Sequence, residues 1–163
     1  EYSLFSRGIE AEILPTLRQL GIGVTAYGVL SRGLLSGHWN KERSAGETSF
    51  RARSPRFSGD NLERNLKLVE ALRGIADAKG ISVAQAAIGW VLSRGEDIVP
   101  VIGARKRERL EEALGALNVV FTADELKRIE AAVPLGAAAG HRYDKWGMSM
   151  LDSEKPGSKG NAA

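Results

Sequence analysis

Two short β-branched runs, Ile22-Gly23-Val24-Thr25-Ala26 and Ile98-Val99-Pro100-Val101-Ile102, are the only convincing strands in a chain of 163 residues. Each is uncharged and closed by a turn signal, so each is expected to be buried on both faces of a parallel sheet. Pro100 is a mild objection, because proline cannot donate to a ladder. Parallel neighbours need a long crossover, and the intervening residues supply one in helices. Two strands and their crossover make a single βαβ unit, which cannot close a sheet by itself. The chain is therefore expected to be part of a larger α/β fold.

The helices are legible from apolar spacing. Ile9, Ile13, Leu14, Leu17 and Leu20 share one face, with Glu10 and Glu12 early, Arg18 late and Gly21 as the stop. Asp60 or Asn61, with Glu63, is expected to cap a helix carrying Leu62, Leu66, Val69, Leu72, Ile75 and Ala76 as far as Gly80. Ser82 with Gln85 opens another, running to about Ser93. Leu110, Ala113, Leu114 and Leu117 mark a further amphipathic helix after a basic first turn. Thr122 and Glu125 box the last, which Pro134 ends. The order is α-β-α-α-β-α-α. Between His38 and Gly59 the chain is polar and arginine-rich without a period, which predicts a long surface loop of functional type. Residues 1–156 are expected to form one unit, with 157–163 a disordered tail.

Composition removes several classes. With no cysteine there is no disulfide framework, thiolate metal site or cysteine nucleophile. His38 and His141 have no partners at metal-ligand spacing, so no metal is expected. No apolar run approaches the roughly 20 residues of a membrane span, and Glu1 to Arg7 lacks the basic and apolar regions of a leader. A soluble, cytoplasmic protein is expected, whose first residues read like the middle of something. A net charge of +3 is weak support for a polyanion partner.

Two loops carry chemistry. Tyr27-Gly28-Val29-Leu30-Ser31-Arg32-Gly33-Leu34-Leu35-Ser36-Gly37 follows the first strand. Its aromatic ring suits stacking against a flat heterocycle, and its glycines and arginine suit a phosphate. After the second strand, Gly103-Ala104-Arg105-Lys106-Arg107-Glu108-Arg109 crowds positive side chains around a helix start. There each opposes the dipole by about 0.3–1 kcal/mol when exposed. An anion held there is one reading, in the place where parallel α/β folds bind ligands. A solvated basic turn neutralised by Glu108, Glu111 and Glu112 is the other.

Both loops resemble those of the aldo-keto reductases. The segment from Tyr27 is similar to the loop after that family's seventh strand, and Val99 to Leu117, with Arg109-Leu110-Glu111-Glu112, to its eighth strand and following helix. Glu1-Tyr2-Ser3-Leu4 and Gly140-His141-Arg142-Tyr143 resemble segments at either end of the same region. The resemblance implies a fragment of a (β/α)₈ TIM barrel, roughly its last two strands with their helices and C-terminal tail. It also implies an NADPH-dependent oxidoreductase reducing aldehydes or ketones. On it, Tyr27 stacks on the nicotinamide of NADP(H), and Gly28, Leu30, Ser31, Arg32 and Gly33 hold the pyrophosphate region. Gly103, Ala104 and Arg105 line the phosphate pocket, Arg109 approaches the 2′-phosphate or adenine, and Glu112 lies against the adenine. Ala113 departs from the family's asparagine, a lost amide contact worth about 0.5–1.5 kcal/mol. The family's catalytic aspartate, tyrosine, lysine and histidine fall outside the matched region, so no catalytic residue is assigned and this chain alone is expected to be inactive.

Two other readings stay open. Ser82 to Arg109 can be read as a helix-turn-helix placing Lys106, Arg107 and Arg109 on DNA, although the residues between its helices are too many for the motif. A non-catalytic nucleotide-binding half-barrel that self-associates through exposed sheet edges is the third. The reductase reading expects a small carbonyl substrate, and neither nucleic acid nor membrane as partner.

Overall fold

Three register pairs, Val24 with Ile98, Thr25 with Val99 and Ala26 with Pro100, join strands β1 (Val24–Ala26) and β2 (Ile98–Pro100) in parallel. In this computed structural model, which describes residues 1–42 and 50–151, the helices are α1 (Ile13–Gln19), α2 (Gly59–Lys79), α3 (Val83–Leu92), α4 (Arg107–Gly115), α5 (Ala123–Ala132) and α6 (Lys145–Ser149). Short 3-10 turns connect them. The expected tail 157–163 lies outside the described residues.

The strands are buried on one face only. Ala26 and Ile98 point into the core, whereas their neighbours Thr25 and Val99 face outward, with Val99 58% exposed. The expectation of two buried faces fails because the described chain packs helices against one side of the sheet alone. The apolar run was read correctly, but it cannot report how many layers surround a strand.

Helix α3 is the centre of the core. It is apolar almost all round, and Val83, Ala86, Ala87, Ile88, Trp90 and Val91 are buried, consistent with a helix covered on several sides. Its start follows from sequence: Ser82 accepts from Gln85 N at 3.1 Å and Gln85 Oε1 accepts from Ser82 N at 3.0 Å. Trp90 lies between the guanidiniums of Arg7 and Arg94, at 5.1 and 5.3 Å, and its indole N–H donates to Glu130. Thr122 and Glu125 box α5 as expected, burying Ile129 before Pro134 ends the run.

Two helix starts differ from expectation. Helix α2 takes Ser58 as its N-cap, without a side-chain cap bond. Asn61 instead donates to Pro55 O at 3.1 Å and Glu63 pairs with Lys41, so both side chains expected at the cap have tertiary partners. Helix α1 is shorter than its apolar pattern. Glu10 is drawn away by the Tyr2 hydroxyl at 2.7 Å and Arg7 at 2.8 Å, leaving a 3-10 turn at Gly8–Glu10, and only Leu14 of the helix is fully buried. The helix-turn-helix reading also falls, because β2 stands between α3 and α4.

The segment expected to be surface loop is partly core. Trp39 and Phe57 meet edge to face at 4.9 Å, and Arg56 is only 7% exposed. Arg56 donates to Phe5 O, Ser6 Oγ and Ser31 Oγ, and lies 3.7 Å from the Glu1 carboxylate. Arg142 reaches the same carboxylate at 3.3 Å from the far end of the chain. Asn65, buried within α2, ties Ala139 down through both of its amide functions. A buried carboxylate between two guanidiniums, with Ser6 Oγ donating to it at 2.8 Å, therefore fastens both ends of the described chain to the Ser31 loop.

Breaking a buried ion pair by removing one partner costs about 3–5 kcal/mol. Glu1→Gln, which keeps the shape and removes the charge, is expected to lower the unfolding free energy by about 3 kcal/mol in urea titration. A loss below about 1 kcal/mol is the surface-pair value and would show that the cluster is well solvated.

Candidate functional site

Because β1 and β2 are parallel neighbours, the loops that leave their C-terminal ends start side by side, and Val101 N donates to Ala26 O at 2.8 Å to carry the ladder one step past β2. The Tyr27 loop and the Gly103–Arg109 turn therefore begin at one edge of the molecule.

Tyr27 is 47% exposed, so part of its ring is open to solvent. Its hydroxyl lies 3.3 Å from that of Tyr143, which the tail brings over from far along the chain. Partial burial, then this hydrogen bond, then the neighbouring negative charge that either phenolate would present, push the Tyr27 hydroxyl up to about 12. Gly28 follows with φ +68°, and a Cβ there would come within 2.8 Å of the Glu1 side chain. Glycine is required on both counts.

The next turn is strained in non-glycine residues. Ser31 and Arg32 have φ +46° and +58°, followed by Gly33 at +105°. Such conformations cost about 1–3 kcal/mol each and persist only where their surroundings impose them. Here the restraints are on both sides: Ser31 N donates to Gly28 O at 2.7 Å, Arg56 donates to Ser31 Oγ, and Arg51 Nε donates to Arg32 O at 2.7 Å. The Arg32 guanidinium is held between the rings of Phe50 and Tyr143, 4.7 and 4.5 Å from their centroids, and donates to Arg142 O. Expected at a phosphate, its side chain is engaged with the tail. Leu30 is half-buried against the core.

On the second loop Gly103, Ala104 and Arg105 are exposed, and a Cβ on Gly103 would meet nothing within 4 Å. Arg105 has no hydrogen bond or ion pair among the described residues. Arg109 donates through Nη1 both to Glu112 Oε2, at 2.9 Å, and to His38 Nε2. Burial disfavours the Glu112 carboxylate, but hydrogen bonds from Ser82 and Arg109 outweigh it and hold its pKa below the usual range. Gln85 Nε2 donates to Glu112 O, fixing this part of α4 to α3, and Ala113 is half-buried against the core.

The structure thus brings Tyr27 and Tyr143 together, and separately Arg109, Glu112 and His38. The pairing of His38 with Arg109 had no signal in the sequence, because the two lie 71 residues apart. An apolar groove of about 340 Å³, lined by Ile88, Leu92, Ile98, Ile102, Leu110 and Leu114 among others, runs between β2 and α4. Trp146 is 74% exposed, whereas Trp90 is fully buried.

The model of the Aldo/keto reductase family matches residues 1–134. A probable aldo-keto reductase 1 of Glycine max is 41% identical over 143 residues, covering 88% of this chain and 41% of that protein. Among solved structures, the glycerol dehydrogenase AKR11B4 of Gluconobacter oxydans superposes with a TM-score of 0.74 at 31% identity, over 80% of this chain and 40% of the other. The chain therefore spans about two fifths of the length of these relatives.

A raised tyrosine pKa favours the folded state below the free value near 10 and loses that contribution as pH rises from about 10 to the folded value. Absorbance titration of the phenolates should show one group ionising near pH 12 in the parent that is missing in Tyr27→Phe, and that moves down in Tyr143→Phe. Ionisation of Tyr27 near pH 10 would contradict its placement against Tyr143.

Proposed function

The chain belongs to the aldo/keto reductase family, and on that premise we propose that it is the part of a barrel carrying much of the cofactor site of an NADPH-dependent reductase of aldehydes or ketones. The observation that carries this reading is the parallel pairing of β1 and β2, which sets a half-exposed aromatic ring and a cluster of guanidiniums on adjacent loops. They suit the two ends of one phosphorylated dinucleotide. In this reading β1 and β2 are the seventh and eighth strands of the barrel.

The residues fit such a group. Tyr27 offers an open ring face, and its hydroxyl is kept protonated by burial and by Tyr143, so the ring stays neutral through the physiological range. A phenol pushed up to about 12 is a weak proton donor, which fits Tyr27 as a stacking plate rather than as the acid of the reaction. The strained Gly28–Gly33 turn approaches the pyrophosphate region with its backbone, Leu30 packs beneath it, and Ser31 and Arg32 are held by Arg56 and the tail. Gly103, Ala104 and Arg105 would line the phosphate pocket, Arg109 would lie by the 2′-phosphate or adenine, and Glu112 would face the adenine, where Ala113 contributes no amide. When bound, the nicotinamide supplies hydride to a carbonyl carbon. The proton donor and its supporting groups belong to the other strands of such a barrel, so the chain by itself binds without turning over.

Open apolar surface favours a second, compatible reading. Val99, Leu110, Leu114 and Leu117 are all at least 48% exposed along the groove beside β2, an open apolar patch. As an isolated polypeptide the chain self-associates through this face and the free edges of its two strands. Size-exclusion chromatography with light scattering is expected to give a dimer or larger species, and a stable monomer would remove this reading.

Arg105→Ala and Arg109→Ala are each expected to raise the dissociation constant of adenosine 2′,5′-bisphosphate about tenfold, as loss of one charged contact does. That of 5′-AMP should change less than about twofold by the same accounting. Equal losses on both ligands in calorimetric titration would remove the assigned 2′-phosphate role.

A further inference from the structure

His38 lies at the end of the Tyr27 loop, just past Gly37, yet its imidazole meets the side chains of α4. Arg109 can only donate, so His38 Nε2 must accept, which means that this nitrogen carries no proton and the ring proton is on Nδ1. The 3.7 Å approach of His38 Nε2 to Glu112 Oε2 is then a consequence of sharing Arg109, not an ion pair in its own right. Arg109 Nη1 has two protons, and both are committed, one to His38 and one to Glu112 at 2.9 Å. Its Nε–H and the two protons on Nη2 have no partner among the described residues. The Nε–H and one of the Nη2 protons lie along an edge of the guanidinium that binds an oxyanion in bidentate fashion. The Arg109 side chain is half exposed, whereas Glu112 is largely covered, so the carboxylate end of the cluster is the fixed one.

We infer that His38 is a positioning residue for anion recognition. By occupying one proton of Arg109 Nη1 opposite Glu112, it fixes the rotation of the guanidinium and leaves the Nε–Nη2 edge for a phosphate. A carboxylate alone pairs with a guanidinium in several geometries, and an exposed arginine samples many rotamers. Two acceptors on one nitrogen remove most of that freedom before a ligand arrives, which lowers the cost of ordering the side chain on binding. His38 also joins the loop after β1 to the helix after β2, so the two halves of the site are connected by a side-chain contact besides the strand ladder. The inference rests on the cofactor reading above and adds to it a residue that selects for the phosphorylated ligand.

The test uses this chain with adenosine 2′,5′-bisphosphate and 5′-AMP as probes, comparing His38→Leu with His38→Gln, whose side-chain oxygen keeps an acceptor within similar reach. His38→Leu is expected to weaken the bisphosphate about five- to tenfold, the usual range for one lost hydrogen bond to a charged group. It should leave 5′-AMP unchanged, while His38→Gln retains the parent's preference. Circular dichroism and thermal midpoints establish that both variants fold. If His38→Leu keeps the parent's preference, or if it weakens both probes equally and His38→Gln does the same, His38 only shapes the loop and the inference is overturned. If the parent shows no preference for the bisphosphate, the cofactor reading fails as well, and that outcome is distinct from the first two.

Discussion

The three-rung parallel ladder between β1 and β2 decides where everything functional in this chain can lie. A parallel pair sends both strands' C-terminal ends in the same direction, so the residues that follow Ala26 and Pro100 emerge together although a long helical crossover separates them. Had the strands been antiparallel, Tyr27 and Arg105 would have left from opposite edges. Helix α3 backs the ladder: its nearly continuous apolar surface packs against β2, and burial of residues such as Val91 and Ile98 is worth about 1.5–3 kcal/mol each.

Arginine is the working residue of this protein, and its roles divide by environment. Arg56 and Arg142 are buried beside the Glu1 carboxylate and act as fasteners, holding the strained Ser31 turn and the tail to the core. Arg7 and Arg94 flank Trp90 and join the helices behind the sheet. Arg32 lies between, held by two aromatic rings and the carbonyl of Arg142, and so ties the loop to the tail. Arg105 is exposed and Arg109 bonds through Nη1 to His38 and Glu112, so both lie at the surface of the loop after β2. A composition count or net charge gives no hint of this division, because all seven side chains are the same on paper.

Thr25 and Val99 form an outward sheet face, and the groove between β2 and α4 is apolar without a covering layer. The chain spans about two fifths of the length of the relatives that share this fold.

Local chemistry was legible in the sequence wherever the cause was local. The capping boxes at Ser82–Gln85 and Thr122–Glu125, the stop at Gly80, the apolar faces of α3 and α5, and the two strand positions follow from residues within a turn or two of one another. The glycine at position 28 and the aromatic ring before it also announced a special turn. Long-range partners decided the rest. Glu63 left its expected cap for Lys41, Glu10 left its helix for Tyr2 and Arg7, and a segment that read as surface loop buried Arg56 and Phe57. Which arginines are consumed as fasteners and which remain available, and that His38 joins Arg109, depend on side chains brought together across the fold. Sequence periodicity encodes which face of an element is apolar, but the identity of the group opposite each polar side chain is fixed only when the elements dock.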